Sequence, residues 1–322
     1  MTRCAESDPP IIGVLRLLFG ACALAPALGF AQESAIVGVD VQKLANSVLA
    51  VMGFTVTPDV TTGSLSIFNQ ATGNPHFQQG SVGGGFTLSK SHPLYLEGTA
   101  AYARYDPTFL VGNPQVQEPI HVTWDSVSLG GGVGWDFPLA RAGWTLRPIF
   151  NFSLGRVSSS GAGDRASLAA RSDAESVFLR DGELNALGLG GSIMFDYERY
   201  RPENEIDVEL RYSNIQLQSF DSSTAVEGRA SAQSASLWAR WRAPTRMDLL
   251  EQPLRYVLEY AYTRFLGDLE GTLGFDDIHS FGLGLELDAS KRDMVVNRTR
   301  LLARYRVGNN VSGWALGLAL SF

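Results

Sequence analysis

The chain has 322 residues, a formal net charge of −7, 34 glycines and 45% apolar residues. This acidic balance gives no basic face for nucleic acid, and the composition is neither that of a disordered chain nor that of a helical one. Cys4 and Cys22, the two cysteines, both lie near the amino terminus, so the remainder has no disulfide framework, thiolate metal site or thiol nucleophile.

Arg3 and Arg16 precede the apolar run LLFGACALAPAL at 17–28, and Gly29 and Ala31 put small residues at −3 and −1 of a cut after Ala31. This pattern predicts a secretory signal peptide over 1–31. Its removal takes away Arg3, Arg16, Glu6 and Asp8 and leaves the net charge unchanged. The alternative is a lipoprotein cut before Cys22, but Phe19 stands where such a signal has Leu. No later run is as long as the roughly 18 apolar residues of a membrane-spanning helix.

Residues 32–60 read as a helix and linker. In VDVQKLANSVLAVM (39–52), Val41, Leu44, Ala45, Val48, Leu49 and Met52 recur at helical spacing, and Gly53 and Pro58 end the pattern. A helix of this length could fill the lumen of a barrel, lie amphipathically in the periplasm, or give way to a short strand through AIVGVDV.

From residue 61 to 322 the period changes to two. Twelve such segments are predicted: 62–69, 80–89, 94–105, 122–136, 144–156, 184–197, 205–217, 233–242, 254–265, 278–288, 298–307 and 312–322. One face is uniformly apolar, as in Ile206, Val208, Leu210 and Tyr212, or Phe281, Leu283, Leu285 and Leu287. The other mixes charge and glycine, as in Asp207, Glu209 and Arg211, or Gly282, Gly284 and Glu286. A soluble barrel buries its apolar face inside. Here the charges belong in a wet lumen and the apolar belt faces hydrocarbon, where closure is required because an open sheet edge leaves backbone groups unsatisfied. The reading is all-β: a twelve-stranded antiparallel transmembrane barrel with an N-terminal helix in its lumen. Alternate connections are long and short, the longest at 157–183, and Trp135, Phe137, Trp144, Tyr197 and Tyr200 cluster at short turns as an interfacial girdle does. Inner-face glycines such as Gly83, Gly85, Gly130, Gly132, Gly134, Gly188 and Gly190 are expected to admit the helix backbone.

The chain ends GWALGLALSF, with Trp314, Leu316, Leu318, Leu320 and Phe322 on one face and Gly313, Ala315, Gly317, Ala319 and Ser321 on the other. A helix, twelve strands and this aromatic ending resemble the autotransporter translocator family, over about 36–322. The resemblance implies an outer-membrane barrel, and the ending is similar to the assembly signal read by the barrel-insertion machinery. A family member carries a long passenger before its helix; here only Gln32 to Gly38 would follow the signal peptide, so a solitary barrel without a covalent passenger is expected.

His76, His92 and His121 fall at turns or strand ends, while His279 and Ser280 are adjacent and therefore point to opposite faces, where a Ser–His pair needs one face. Asp276, Asp277 and His279 beside an outer loop are three common residues at a turn. The glycine runs GGGVG (130–134) and GLGLGG (186–191) lack the following helix of a phosphate loop. The informative constellation is the charged lumen. Glu209 and Arg211 neighbour Arg240 and Arg242, and Glu286 and Asp288 neighbour Arg300, Arg304 and Arg306. These form a structural ion network, or a selectivity lining as rings of charge do in pores.

The expectation is a monomeric, porin-like barrel in a Gram-negative outer membrane, with a structural or surface-interaction role. Its expected partners are outer-membrane lipid and lipopolysaccharide, the barrel-assembly machinery and periplasmic chaperones, with no cofactor and no nucleic acid. A narrow solute pore is the alternative, and an outer-membrane enzyme the less favoured one.

Overall fold

The computed structural model describes residues 35–36, 41–56, 63–69, 76–106, 108–113, 116–161, 182–221, 228–289, 298–309 and 311–321. The predicted signal peptide, most of the segment 157–183 and Phe322 lie outside the described residues.

Twelve strands form the wall: β1 (Gly63–Asn69), β2 (His76–Thr87), β3 (Leu94–Tyr105), β4 (Val116–Trp135), β5 (Trp144–Gly161), β6 (Glu183–Tyr200), β7 (Glu205–Phe220), β8 (Arg229–Leu249), β9 (Gln252–Gly267), β10 (Asp277–Asp288), β11 (Arg298–Gly308) and β12 (Val311–Ser321). Each pairs antiparallel with the next, and β12 returns to β1 with Trp314 opposite Ser66, so the sheet closes on itself. All twelve predicted segments are present. Several extend further than their alternation suggested, notably β4 from Val116, β5 to Gly161 and β8 from Arg229. A short segment, Thr108–Asn113, folds back on the start of β4, and Ala35–Ile36 pairs parallel with it. Phe137–Pro138 adds a short pairing to β5.

The faces sort as the period-two reading requires. Leu210 and Tyr212 on β7, Leu283 and Leu285 on β10, Leu301 on β11 and Trp314, Leu316 and Leu318 on β12 stand exposed, while Arg211, Glu286, Arg300 and Arg304 are buried inside. An apolar outer face on a closed antiparallel wall identifies a transmembrane β-barrel. Among the described residues no helix is long and apolar enough to cross a membrane. Aromatic pairs mark both margins of the belt, with ring centroids 5.1 Å apart for Trp144 and Tyr197 at one and 4.9 Å apart for Tyr305 and Trp314 toward the other.

The helix, α1 (Val41–Val56), lies inside the wall. From Val48 to Val56 it is buried on every side rather than along one stripe, as a helix enclosed by protein must be. It continues through Gly53, where a helix end was expected. A side chain there would meet the Leu269 side chain at 2.5 Å and Ala232 at 3.2 Å. Tertiary packing against the bare backbone thus outweighs the roughly 1 kcal/mol helix penalty of glycine. Thr55 closes the last turn, its hydroxyl donating to the Met52 carbonyl at 2.7 Å. Of the alternative strand through AIVGVDV, Ala35–Ile36 are strand and Val41 opens the helix, with 37–40 outside the described residues.

Candidate functional site: a lumen filled in two halves

The strand directions distinguish two ends. The connections 70–75, 106–115, 162–182, 221–228, 268–276 and 309–310 leave one end, called the long-loop end for 162–182, and 88–93, 136–143, 201–204, 250–251 and 289–297 leave the other, the short-turn end. The lumen has a different filling at each.

At the long-loop end α1 sits in an apolar socket. Phe54 packs on Phe265 (4.6 Å between ring centroids), Phe275 (5.9 Å) and Phe77 (6.4 Å). Leu49 and Met52 have no exposed surface, and Val122, Trp124, Leu184, Ile215, Leu217, Leu269 and Ile278 complete the cluster. Gly155 of β5 leaves room for the Met52 thioether, and Gly228 for Leu49 and Ala45. Asn46 accepts a hydrogen bond from the Arg229 backbone at 2.9 Å, fixing the helix to the top of β8.

At the short-turn end the lumen is ionic. Arg242 lies 2.9 Å from both Glu205 and Asp207 and 3.3 Å from Glu286. Arg300 donates twice to Glu286, at 2.9 and 2.6 Å, and Arg240 donates to Asp207 at 2.8 Å. Arg298 reaches Glu205 at 2.8 Å and Asp288 at 3.8 Å, and Arg255 joins the same two acids. Arg304 donates twice to Glu259, at 3.1 and 2.8 Å. Across the lumen Arg211 grips Glu97 with two bonds of 2.8 and 2.6 Å, and Asn151, Tyr95, Ser192 and Ser213 complete that knot. Arg147 pairs with Asp136 and Asp196 and stacks over Tyr95, 4.1 Å from the ring centroid. Acid and base alternate through this network. A single-sign lining, which selective pores use, is not what these side chains form.

Most of the predicted charge constellation is brought together, with different partners in several places. Arg211, Arg240, Arg242, Glu286, Asp288, Arg300 and Arg304 are all members. Arg304 pairs with Glu259 of β9 rather than with β10, because Gly282 stands opposite it on β10 and supplies no acid. Glu209 faces inward between Asp196 and Trp238 and makes no ion pair within 4 Å among the described residues, since Arg211 points to Glu97 and Arg240 to Asp207. Arg306 shares the inward face nearer the long-loop end. Asp207 and Arg298, on the predicted inward parity, join the network too; Glu97, Asp136, Arg147, Asp196, Glu205, Arg255 and Glu259 lie outside the predicted constellation, and the same parity carried to β3, β5, β6 and β9, to the start of β7 and to the turn after β4 finds them. His279 faces outward beside Tyr260, whose hydroxyl lies 3.0 Å from its Nδ1, while Ser280 points inward.

The expectation that inner glycines receive the helix backbone is corrected. A side chain at Gly132 would collide with Glu97 and Asn151, at Gly85 with the Tyr95 hydroxyl and at Gly188 with Ser153. Gly132 and Gly85 make room for large polar side chains on neighbouring strands and Gly188 for Ser153, Leu217 and Ile215, while Gly155 and Gly228 serve the helix.

In the carboxy-terminal strand, Trp314, Leu316 and Leu318 are 69%, 65% and 52% exposed and Gly313, Ala315 and Gly317 are turned inward. The side chains of Leu320 and Phe322 lie outside the described residues.

No protein-family model matches the chain, and no curated protein matches it. Among solved structures the chain is similar to the β domain of the Bordetella autotransporter BrkA, with 12% identity and a TM-score of 0.46 over 82% of this chain and 100% of that one. It is similar to the transport unit of the Escherichia coli autotransporter AIDA-I, with 13% identity and a TM-score of 0.48 over 86% and 99%. It is also similar to the KdgM porin in complex with disordered oligogalacturonate, with 9% identity and a TM-score of 0.36 over 82% and 99%. The fold described above rests on the ring of pairings in the chain itself.

Proposed function

We propose that this chain is an integral outer-membrane barrel of the autotransporter translocator type, held shut by its own helix and serving a structural or surface-interaction role. The observation that carries this reading is the enclosure of Val48–Val56 in a matched apolar socket directly above a balanced ion network. A helix buried on all sides is part of the folded core, not a loosely threaded segment, and neither half of the filling resembles a path for solute. The pairing of Ala35–Ile36 with Thr108–Asn113 supports placing the chain ahead of the helix at the long-loop end, which is the cell exterior if the loops follow the usual asymmetry. Export by the signal peptide at 1–31, insertion through the C-terminal strand by the barrel-assembly machinery after escort by periplasmic chaperones, and a monomeric state belong to the same proposal. So does the absence of catalysis.

Planar-bilayer recordings of the refolded chain lacking residues 1–31 test the closed state. Only rare, brief openings are expected, with steady conductance after Leu49→Asp and Met52→Asp are introduced together to expel the helix. Steady conductance of the unaltered protein would put a solute pore in its place.

A further inference from the structure

The outer face of β5, β6 and β7 carries a notch within the apolar belt. Gly191 stands there in line with Phe150 and has no side chain of its own, leaving an apolar groove of about 480 Å³ walled by Pro148, Phe150, Ile193 and Tyr212. Register places Asn214 directly opposite Gly191, and Gln233 opposite Asn214. Asn214 begins a linked set of uncharged polar groups. Gln216 donates to Asn214 Oδ1 at 2.7 Å and to Ser231 Oγ at 2.8 Å, Gln233 donates to Ser231 Oγ at 2.8 Å, and the Tyr212 hydroxyl lies 3.2 Å from Gln233 Oε1. Tyr212 therefore belongs to both the groove and the amide cluster.

We infer that this composite surface holds one membrane glycolipid, with an acyl chain in the groove over Gly191 and uncharged sugar groups on Asn214, Gln216 and Gln233. The inference rests on the outer-membrane reading above. Lipid tails are as apolar as the side chains they meet, so shape and polar contacts, not hydrophobicity, decide which lipid stays. The notch supplies shape. The amides supply donors and acceptors together, held by their mutual bonds in one arrangement, which suits hydroxyls that both donate and accept.

The test uses the full chain without its leader in phosphatidylcholine nanodiscs containing lipopolysaccharide with its core oligosaccharide, lipid A without the core, or neither, with retained lipid counted by native mass spectrometry. Gly191→Val fills the notch; its first added carbon meets the Ile149 carbonyl at 3.2 Å, so that backbone must yield by a few tenths of an ångström, and the insertion readout below checks that the variant folds. Gln216→Leu with Gln233→Leu keeps bulk and removes the polar contacts. Core-bearing lipopolysaccharide is expected to be retained about tenfold over phosphatidylcholine by the unaltered protein, and each variant to lose most of that preference. Equal retention by protein and variants, equal retention of lipid A without core, or burial of the notch in a dimer would each overturn the inference. Insertion into phosphatidylcholine alone, read as a heat-modifiable band, separates the outcomes: an inserted barrel with no glycolipid preference refutes this site only, and a chain that does not insert refutes the outer-membrane reading with it.

Discussion

Strand β7 passes through both halves of the barrel and changes chemistry without changing parity. Toward the short-turn end its outward residues are Leu210 and Tyr212 and its inward ones Arg211 and Ser213. Toward the long-loop end Gln216 and Gln218 face out, followed by an exposed Phe220, while Ile215 and Leu217 are buried inside. The same inversion appears on β5, where Phe150, Phe152 and Leu154 give way to Arg156 outside as Asn151 and Ser153 give way to Val157 inside. Below the change the wall is a membrane barrel with a polar interior. Above it the wall is built like a soluble barrel with α1 as its core. The difference teaches that the outer solvent sets the sign of each face, with a ragged margin where exposed Leu187, Leu189 and Val127 stand opposite Gln218, Gln216 and Arg156.

The largest effect should come from the ionic half. Arg242→Met leaves Glu205, Asp207 and Glu286 each short of a partner, and removing one member of a buried ion cluster costs about 3–5 kcal/mol; urea unfolding of the refolded barrel, followed by tryptophan fluorescence, should show a loss of that size. In the helical half, Leu49→Ala removes a fully buried side chain and should cost about 2–5 kcal/mol, toward the low end if Gly228 lets the socket collapse. Combining the two sharpens the comparison. If the halves are separately packed, their costs should add to within about 0.5 kcal/mol, and a larger coupling would mean that one cooperative filling spans the lumen. A further contrast lies within the ionic half, where Arg304→Leu with Glu259→Leu together should cost less than either alone, because the pair is removed rather than broken. The smallest effect belongs above the inversion: Gln218→Leu should change stability by no more than about 0.5 kcal/mol, as exposed substitutions do.

Much of this was legible in the sequence because a period of two is local. Alternation at 205–213 and 278–288 fixes which side chains face the lumen, and the wall follows. Strand ends were less legible. The predicted segments at β5 and β8 stop short because the alternation of a lipid-facing strand stops at the inversion, while the backbone pairing continues past it under the reversed pattern of Val157, Ala230 and Ala232. Pair identities were less legible still. Parity places Arg304 inside, but only the register of three strands shows that Gly282 stands between it and Glu259. The role of Gly132 or Gly188 likewise depends on how far Asn151 or Ser153 reaches across the sheet, which no single strand encodes.

The inversion itself can be measured directly. Single cysteines placed at Leu210, Tyr212, Gln216 and Gln218, in a chain lacking Cys4 and Cys22, would carry an environment-sensitive dye in vesicles with acyl-chain spin labels. The account predicts strong quenching at 210, a fall at 212 and little quenching at 216 and 218. Uniform quenching along all four positions would contradict it, because the upper wall would then lie in hydrocarbon and its apolar interior would need another cause.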